Sequence, residues 1–67
     1  MLNIWVIYQS PRDYPGRFVA RRWILDKPTG EVIVRDTLDQ VRRALPVGLH
    51  RMDRFNGDDA AIVETWF

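Results

Sequence analysis

The chain has 67 residues, with ten basic and nine acidic side chains and a formal net charge of +1 at pH 7. This length makes a single domain, residues 1–67, and leaves no room for a second one. The near balance of charge excludes the strong positive field of most nucleic-acid-binding domains. The chain has no Cys and one His, so disulfides are excluded and we expect no metal and no other cofactor.

Composition also indicates the cellular compartment of the protein. The absence of Cys fits a reducing compartment. No stretch approaches the roughly 20 apolar residues of a membrane span, and residues 1–8 lack the basic start of a signal peptide. We therefore expect a soluble, cytoplasmic protein. A domain of this size buries only about 60% of its unfolded surface, so it needs good packing or self-association.

The first half of the chain predicts three strands. Asn3–Gln9 is β-branched and aromatic, with apolar residues on both faces, which is typical of a central strand. Residues 10–16 contain two prolines and a glycine and predict a loop. Arg17–Asp26 predicts a second strand and Glu31–Arg35 a third, joined by a type I turn at Lys27-Pro28-Thr29-Gly30.

A short helix follows. Thr37 is a favourable N-cap, and Gln40 three residues later completes a capping box. Pro46 ends the helix. Three apolar side chains fall on one helical stripe: Leu38, Val41 and Leu45.

The chain ends with two further strands, Leu49–Phe55 and Ala61–Phe67, joined by a turn at residues 56–59. The element order is β-β-β-α-β-β. This order predicts an α+β domain: a mostly antiparallel sheet of about five strands with one short helix on one face. The pattern leaves the order of the strands in the sheet open.

One short helix covers one face of a five-strand sheet, yet the first, second and fifth strands are apolar on both faces. The second face is therefore partly exposed or covered from outside the chain. Tryptophan and arginine are the residues most enriched at interface hot spots. We expect five of them to lie on the helix-free face and to bind a partner: Trp5, Arg21, Trp23, Arg51 and Trp66.

The alternative is that the tryptophans fill the core and the arginines lie flat across their neighbours. The nine arginines against one lysine have two explanations. Either the genome is GC-rich, or arginine is preferred at an interface.

The sequence does not indicate an active site or a small-molecule substrate. Ser10 and His50 are the only serine and histidine, and no motif surrounds either of them. Asp53–Glu64 has Asp and Glu at positions 1 and 12 of a calcium loop, but its interior lacks the oxygen ligands and the central glycine. Asp13 is expected to form a local ion pair with Arg12 or Arg17. We expect that the protein is not an enzyme.

The segment Ile7–Trp23, IYQSPRDYPGRFVARRW, resembles a group of small uncharacterised bacterial proteins, some carried by phages or prophages. They share the pattern I-Y-x-x-P-x-D-Y-P-x-x-F-V-A-R-x-W. The likeness extends more weakly through Leu38–Pro46, Gly48-Leu49 and Ile62–Trp66. The resemblance implies a bacterial or phage-associated origin, a setting in which small interaction proteins are common, and it carries over no catalytic residue.

The sequence thus predicts a small non-catalytic interaction module that forms a homodimer or binds a protein partner. The alternative function is binding of single-stranded nucleic acid on the same face, where aromatic side chains next to arginines would stack on bases. The balanced net charge and the single lysine argue against this alternative.

Overall fold

The structure is a computed structural model, and it describes residues 3–24, 26–52 and 61–67. The described residues form five strands and one helix, in the predicted order β-β-β-α-β-β, and confirm the α+β class. The elements are β1 Asn3–Gln9, β2 Phe18–Ile24, β3 Lys27–Arg35, α1 Leu38–Ala44, β4 Arg51–Met52 and β5 Ile62–Trp66.

The strands form one sheet in the order β3-β2-β1-β5-β4, and every neighbouring pair is antiparallel. The central position of β1 confirms the prediction from its two apolar faces. The first three strands follow one another outward to the edge at β3. Helix α1 then carries the chain back to β4 at the opposite edge, which is why β5 pairs with β1.

The predicted turn at Lys27-Pro28-Thr29-Gly30 is wrong, because these four residues begin β3. Ile24 pairs with Lys27, so the chain has already reversed direction before the proline. Proline and glycine at these spacings favour a turn, but the same residues are tolerated in an edge strand with an irregular register.

That irregularity lies between two regular stretches of the β2–β3 pair. Arg21 pairs with Val32 and Trp23 pairs with Pro28, so β3 has extra residues opposite β2. Gly30 has φ +88° and supplies the left-handed conformation that the bulge requires. The bulge shortens the regular part of this exposed edge.

Helix α1 begins as predicted. The Thr37 hydroxyl accepts a hydrogen bond from the Gln40 backbone N–H at 3.2 Å, and the Gln40 side-chain oxygen accepts one from the Thr37 N–H at 3.3 Å. This capping box satisfies two donors that the first turn leaves without intrahelical partners. The helix ends at Ala44, ahead of Pro46.

The hydrophobic core lies between α1 and one face of the sheet. Its buried members are Trp5, Ile7, Ala20, Val41 and Leu45. Val41 and Leu45 belong to the predicted helical stripe, and Leu38 packs against the same cluster. Each large side chain buried here contributes about 1.5–3 kcal/mol.

The sheet register corrects the placement of three predicted partner-binding residues. Trp5 pairs with both Arg22 and Trp66, and Trp66 pairs with Arg51. Directly paired residues point to the same face, and Trp5 is in the core at 5% exposure. Trp5, Arg51 and Trp66 therefore lie on the helix side, and their expected position on the other face is wrong. Alternation within a strand does not fix the register between strands.

The end of the chain is described in part. Strand β5 lies within the predicted strand Ala61–Phe67. Of the predicted strand Leu49–Phe55, the described part contains β4 at Arg51–Met52, and residues 53–55 lie outside the described residues. The predicted turn at residues 56–59 lies outside the described residues. Within the described ranges, no helix is long and apolar enough to cross a membrane.

Candidate binding pocket on the helix-free face

The face of the sheet opposite α1, called here the helix-free face, is formed mainly by β1 and β2. Its residues pair across the two strands as Ile4 with Trp23, Val6 with Arg21 and Tyr8 with Val19. Arg21 and Trp23 are thus the two predicted partner-binding residues that the structure brings together on this face. Their role in binding stays a prediction.

The helix-free face is not fully open. Val19 is 0% exposed although it lies on this face. The loop at residues 10–16 reaches over the same side of the sheet, since Asp13 in the loop contacts Arg21 in β2. The inference that this face is either exposed or covered from outside is therefore incomplete, because the chain's own loop covers part of it.

Hydrogen bonds within the loop fix its shape. The Ser10 N–H donates to the Arg17 carbonyl at 2.7 Å, and the Tyr14 N–H donates to the Pro11 carbonyl at 3.0 Å. The Ser10 hydroxyl oxygen accepts from the Gly16 N–H at 2.9 Å. Ser10 itself has φ +51°, an uncommon conformation for a residue with a side chain. The loop is thus held in one conformation over the sheet.

A pocket of about 680 Å³ lies between this loop and the sheet. Pockets for small ligands typically have volumes of about 300–1,000 Å³. The sheet contributes an aromatic and apolar wall, and the loop contributes the polar side. The lining residues are Tyr8, Ser10, Pro11, Arg12, Asp13, Arg21, Trp23, Pro28 and Ala61.

Arg21, which lines the pocket, is held by two contacts. Its Nη2 lies 2.5 Å from Oδ2 of Asp13, and its Cζ lies 5.5 Å from the centroid of the Tyr8 ring. A guanidinium over an aromatic face gains about 0.5–1 kcal/mol at an exposed site. The guanidinium is therefore oriented before any partner binds.

The partner of Asp13 differs from the expected one. The sequence predicts a local ion pair with Arg12 or Arg17, but Asp13 pairs with Arg21, and Arg17 lies 3.4 Å from Asp36. The hydrogen bond from Arg21 lowers the pKa of Asp13 below its ordinary value. Asp13 is thus ionised at neutral pH.

The described lining of the pocket carries a net positive charge. It includes two arginines, Arg12 and Arg21, and one aspartate, Asp13, which leaves one positive charge in excess among these residues. The carboxylate is already paired with Arg21, and Arg12 makes no ion pair within the described part of the chain. An anionic group entering the pocket would balance this charge.

The wall opposite the loop contains an unsatisfied donor. The indole N–H of Trp23 is enclosed and has no hydrogen-bond partner among the described residues. An unpaired buried donor costs about 1–3 kcal/mol. Native proteins retain few such groups, and functional sites are among the places where they occur.

The helix side of the sheet has a separate polar cluster around Glu64, which is 6% exposed. Arg42 donates to its carboxylate from Nε at 2.9 Å and from Nη2 at 2.6 Å, and Arg51 donates from Nη1 at 3.1 Å. The Trp66 indole N–H lies 3.4 Å from the same carboxylate. The contacts of Arg51 and Trp66 thus serve a buried charge within the chain.

These contacts set the protonation of Glu64. The hydrogen bonds from Arg42 and Arg51 lower its pKa below the ordinary value, against the opposing effect of burial. No local sequence pattern predicts this cluster. The one available signal is a single charged residue inside the otherwise uncharged run Ile62–Trp66, which indicates either an exposed side chain or a buried pair.

The other candidate residues from the sequence do not form a site in the described part of the structure. Ser10 directly follows the C-terminal end of β1. His50 hydrogen-bonds to Phe67, which follows the Trp66 partner of Trp5 and so lies towards the N-terminal end of β1. Asp53 of the calcium-like spacing lies outside the described residues. No group of three or more His, Cys, Asp or Glu side chains suited to a metal ion occurs in the described ranges.

No family model, no curated protein and no solved structure matches the chain.

Proposed function

We propose that this chain is a small non-catalytic interaction module that binds protein through its helix-free face, with a second copy of itself as the first partner. The observation that carries the proposal is the group of Tyr8, Arg21 and Trp23 on the side of the sheet that α1 does not cover. Oriented arginine and tryptophan side chains of this kind dominate the binding energy of many interfaces.

The apolar surroundings of this group support an interface. Ile4 and Val6 continue the helix-free face along β1, and Val32 on the edge strand is 41% exposed. The strands are two to nine residues long, and at about 3.3 Å per residue and about 4.8 Å between strands the sheet face covers roughly 475 Å². Two such faces would bury at most roughly 950 Å², which is the size of a weak, transient interface below about 1,200 Å².

A second copy is a suitable partner on physical grounds. Sheets pack on sheets about 10 Å apart through apolar faces, and a two-fold dimer needs one self-complementary patch. The net charge of +1 gives little repulsion between copies. A 67-residue domain also gains most from the additional burial.

The runner-up is single-stranded nucleic acid, because Tyr8 and Trp23 provide aromatic surfaces near Arg21. The pairing of Arg21 with Asp13 argues against it. Binding to phosphates relies on several uncompensated cations and weakens steeply with salt. We expect no quenching of tryptophan fluorescence by mixed-sequence RNA at low salt. Quenching that disappears as salt is added would favour this alternative instead.

Truncation of Trp23 tests the proposed interface. We expect the Trp23→Ala variant to associate at least tenfold more weakly than the wild type, since hot-spot truncations cost about 2 kcal/mol or more. The measurement is light-scattering mass across a dilution series. Val47→Ala is the control, because Val47 is 99% exposed and lies outside the sheet. Unchanged association of a folded Trp23→Ala variant would contradict the proposal.

The sequence-based expectations of origin and location belong to this proposal as well. The resemblance of Ile7–Trp23 favours a bacterial or phage-associated protein, and the lack of Cys favours the cytoplasm.

A further inference from the structure

The pocket beside the loop has the composition of a ligand site as well as that of an interface. Tyr8 and Trp23 line it with aromatic side chains on either side of the Arg21 position, and Pro28 on the edge strand pairs with Trp23. Arg12 and Arg21 bring two guanidinium groups to the polar side. This combination suits a molecule with an apolar body and one anionic group.

We propose that this pocket binds small organic carboxylates, with the carboxylate between Arg12 and Arg21 and the apolar body against Tyr8 and Trp23. The excess positive charge of the described lining residues favours an anion over a neutral molecule. Guanidinium groups bind carboxylates in a planar, two-pronged geometry that a simple point charge does not provide.

The chain already shows that a carboxylate fits against Arg21. Oδ2 of Asp13 lies 2.5 Å from Nη2 of Arg21, and Asp13 is the one carboxylate paired with Arg21 among the described residues. A guanidinium has five N–H donors, so donors remain for a second carboxylate. Asp13 therefore acts both as a model for the ligand's carboxylate and as its competitor.

Ser10 adds a third polar contact. Its hydroxyl oxygen accepts from the Gly16 N–H at 2.9 Å. A serine hydroxyl also has one hydrogen to donate, and Ser10 lines the pocket. The internal hydrogen bonds of the loop hold this group in position, so little ordering is needed when a ligand binds.

The test uses two probes that differ only in the terminal group, a carboxylate in N-acetylphenylalanine and a neutral amide in N-acetylphenylalanine amide. Each is titrated into dilute ¹⁵N-labelled protein, where self-association does not affect the outcome, and the Trp23 indole and backbone signals are followed. The indole signal is assigned with a Trp23→Phe variant. We expect saturable shifts with the acid, with a Kd on the order of 1 mM for a probe of this size, and no saturation with the amide.

Three variants locate the carboxylate. Arg12→Gln and Arg21→Gln are each expected to weaken binding of the acid about fivefold, and Asp13→Asn to strengthen it about two- to fivefold. Arg17→Gln is the matched control, because Arg17 pairs with Asp36 and does not line the pocket. Dispersed amide spectra confirm that each variant is folded.

Equal shifts with the acid and the amide would overturn the proposal, as would shifts that map to the helix side of the sheet. This result does not depend on the proposed interaction function. If Trp23→Ala loses association but the wild type does not bind the carboxylate probe, the proposed interface stands and the proposed ligand site is wrong. If the wild type binds the probe but Trp23→Ala associates normally, the ligand site stands and the interface is wrong.

Discussion

At the scale of single residues, Glu64 shows how a charge is accommodated inside a domain of 67 residues. Burial of a carboxylate is costly unless it is paired and hydrogen-bonded. Arg42 and Arg51 provide this pairing from α1 and β4, and their side chains remain 37% and 50% exposed. The cluster thus joins the helix to the far edge of the sheet while its cations stay hydrated.

The Glu64→Gln substitution should destabilise the fold by about 1–2 kcal/mol at neutral pH, because it removes charge-assisted hydrogen bonds but leaves two arginines that water still reaches. Urea unfolding followed by circular dichroism measures this effect. Glu31→Gln is the matched control: the Glu31 carboxylate is 57% exposed and pairs with Arg22. Its loss should cost less than about 1 kcal/mol. Equal costs would contradict the buried role of Glu64.

The same cluster predicts a pH dependence. The pKa of Glu64 is lower in the folded state than its ordinary value of about 4.5. Its contribution to stability is therefore complete above about pH 4.5 and is lost as the pH falls through the folded pKa. Wild-type stability should fall more steeply between neutral pH and pH 3 than that of Glu64→Gln. Parallel pH profiles of the two proteins would show that Glu64 does not contribute in this way.

At the scale of elements, the strands and the helix follow local patterns, whereas their mutual register does not. The capping box at Thr37 and the stripe through Val41 were readable because both depend on residues within one or two turns. Trp5 and Trp66 were placed on the wrong face because register is a long-range property. The misplaced turn at Lys27-Pro28-Thr29-Gly30 has a similar cause, since the pairing of β2 with β3 overrides local turn preference.

The helix start offers a test at this scale. Thr37→Ala should cost about 1 kcal/mol of stability, because the Gln40 N–H loses its acceptor and α1 is only seven residues long. Thr37→Ser keeps the hydroxyl and should cost much less. The free energies of unfolding of the two variants decide the matter, and similar losses in both would indicate that the threonine methyl group, not the cap, is responsible.

At the scale of the whole molecule, the described residues cover the two faces of the five-strand sheet with one helix and one loop. Helix α1 covers one face and forms the core with Trp5 and Ile7. The loop at residues 10–16 covers part of the other face through the contact of Asp13 with Arg21. The sequence predicted that one face would lack a helix, but it did not predict this contact or the pocket, because both join segments that no local pattern relates.

This division leaves Arg21 and Trp23 on a surface that the described residues do not fill, and we propose that this surface, not the helix side, binds protein. A matched pair of charge reversals tests it most directly: Arg21→Glu on the helix-free face, and Arg43→Glu on α1, where the arginine is 80% exposed.

The measurement is the light-scattering mass of both variants and the wild type over the same dilution series. We predict that the masses of the wild type and Arg43→Glu rise together with concentration, and that Arg21→Glu stays at the monomer mass of 7.9 kDa. Equal masses for the two folded variants at every concentration would contradict the claim.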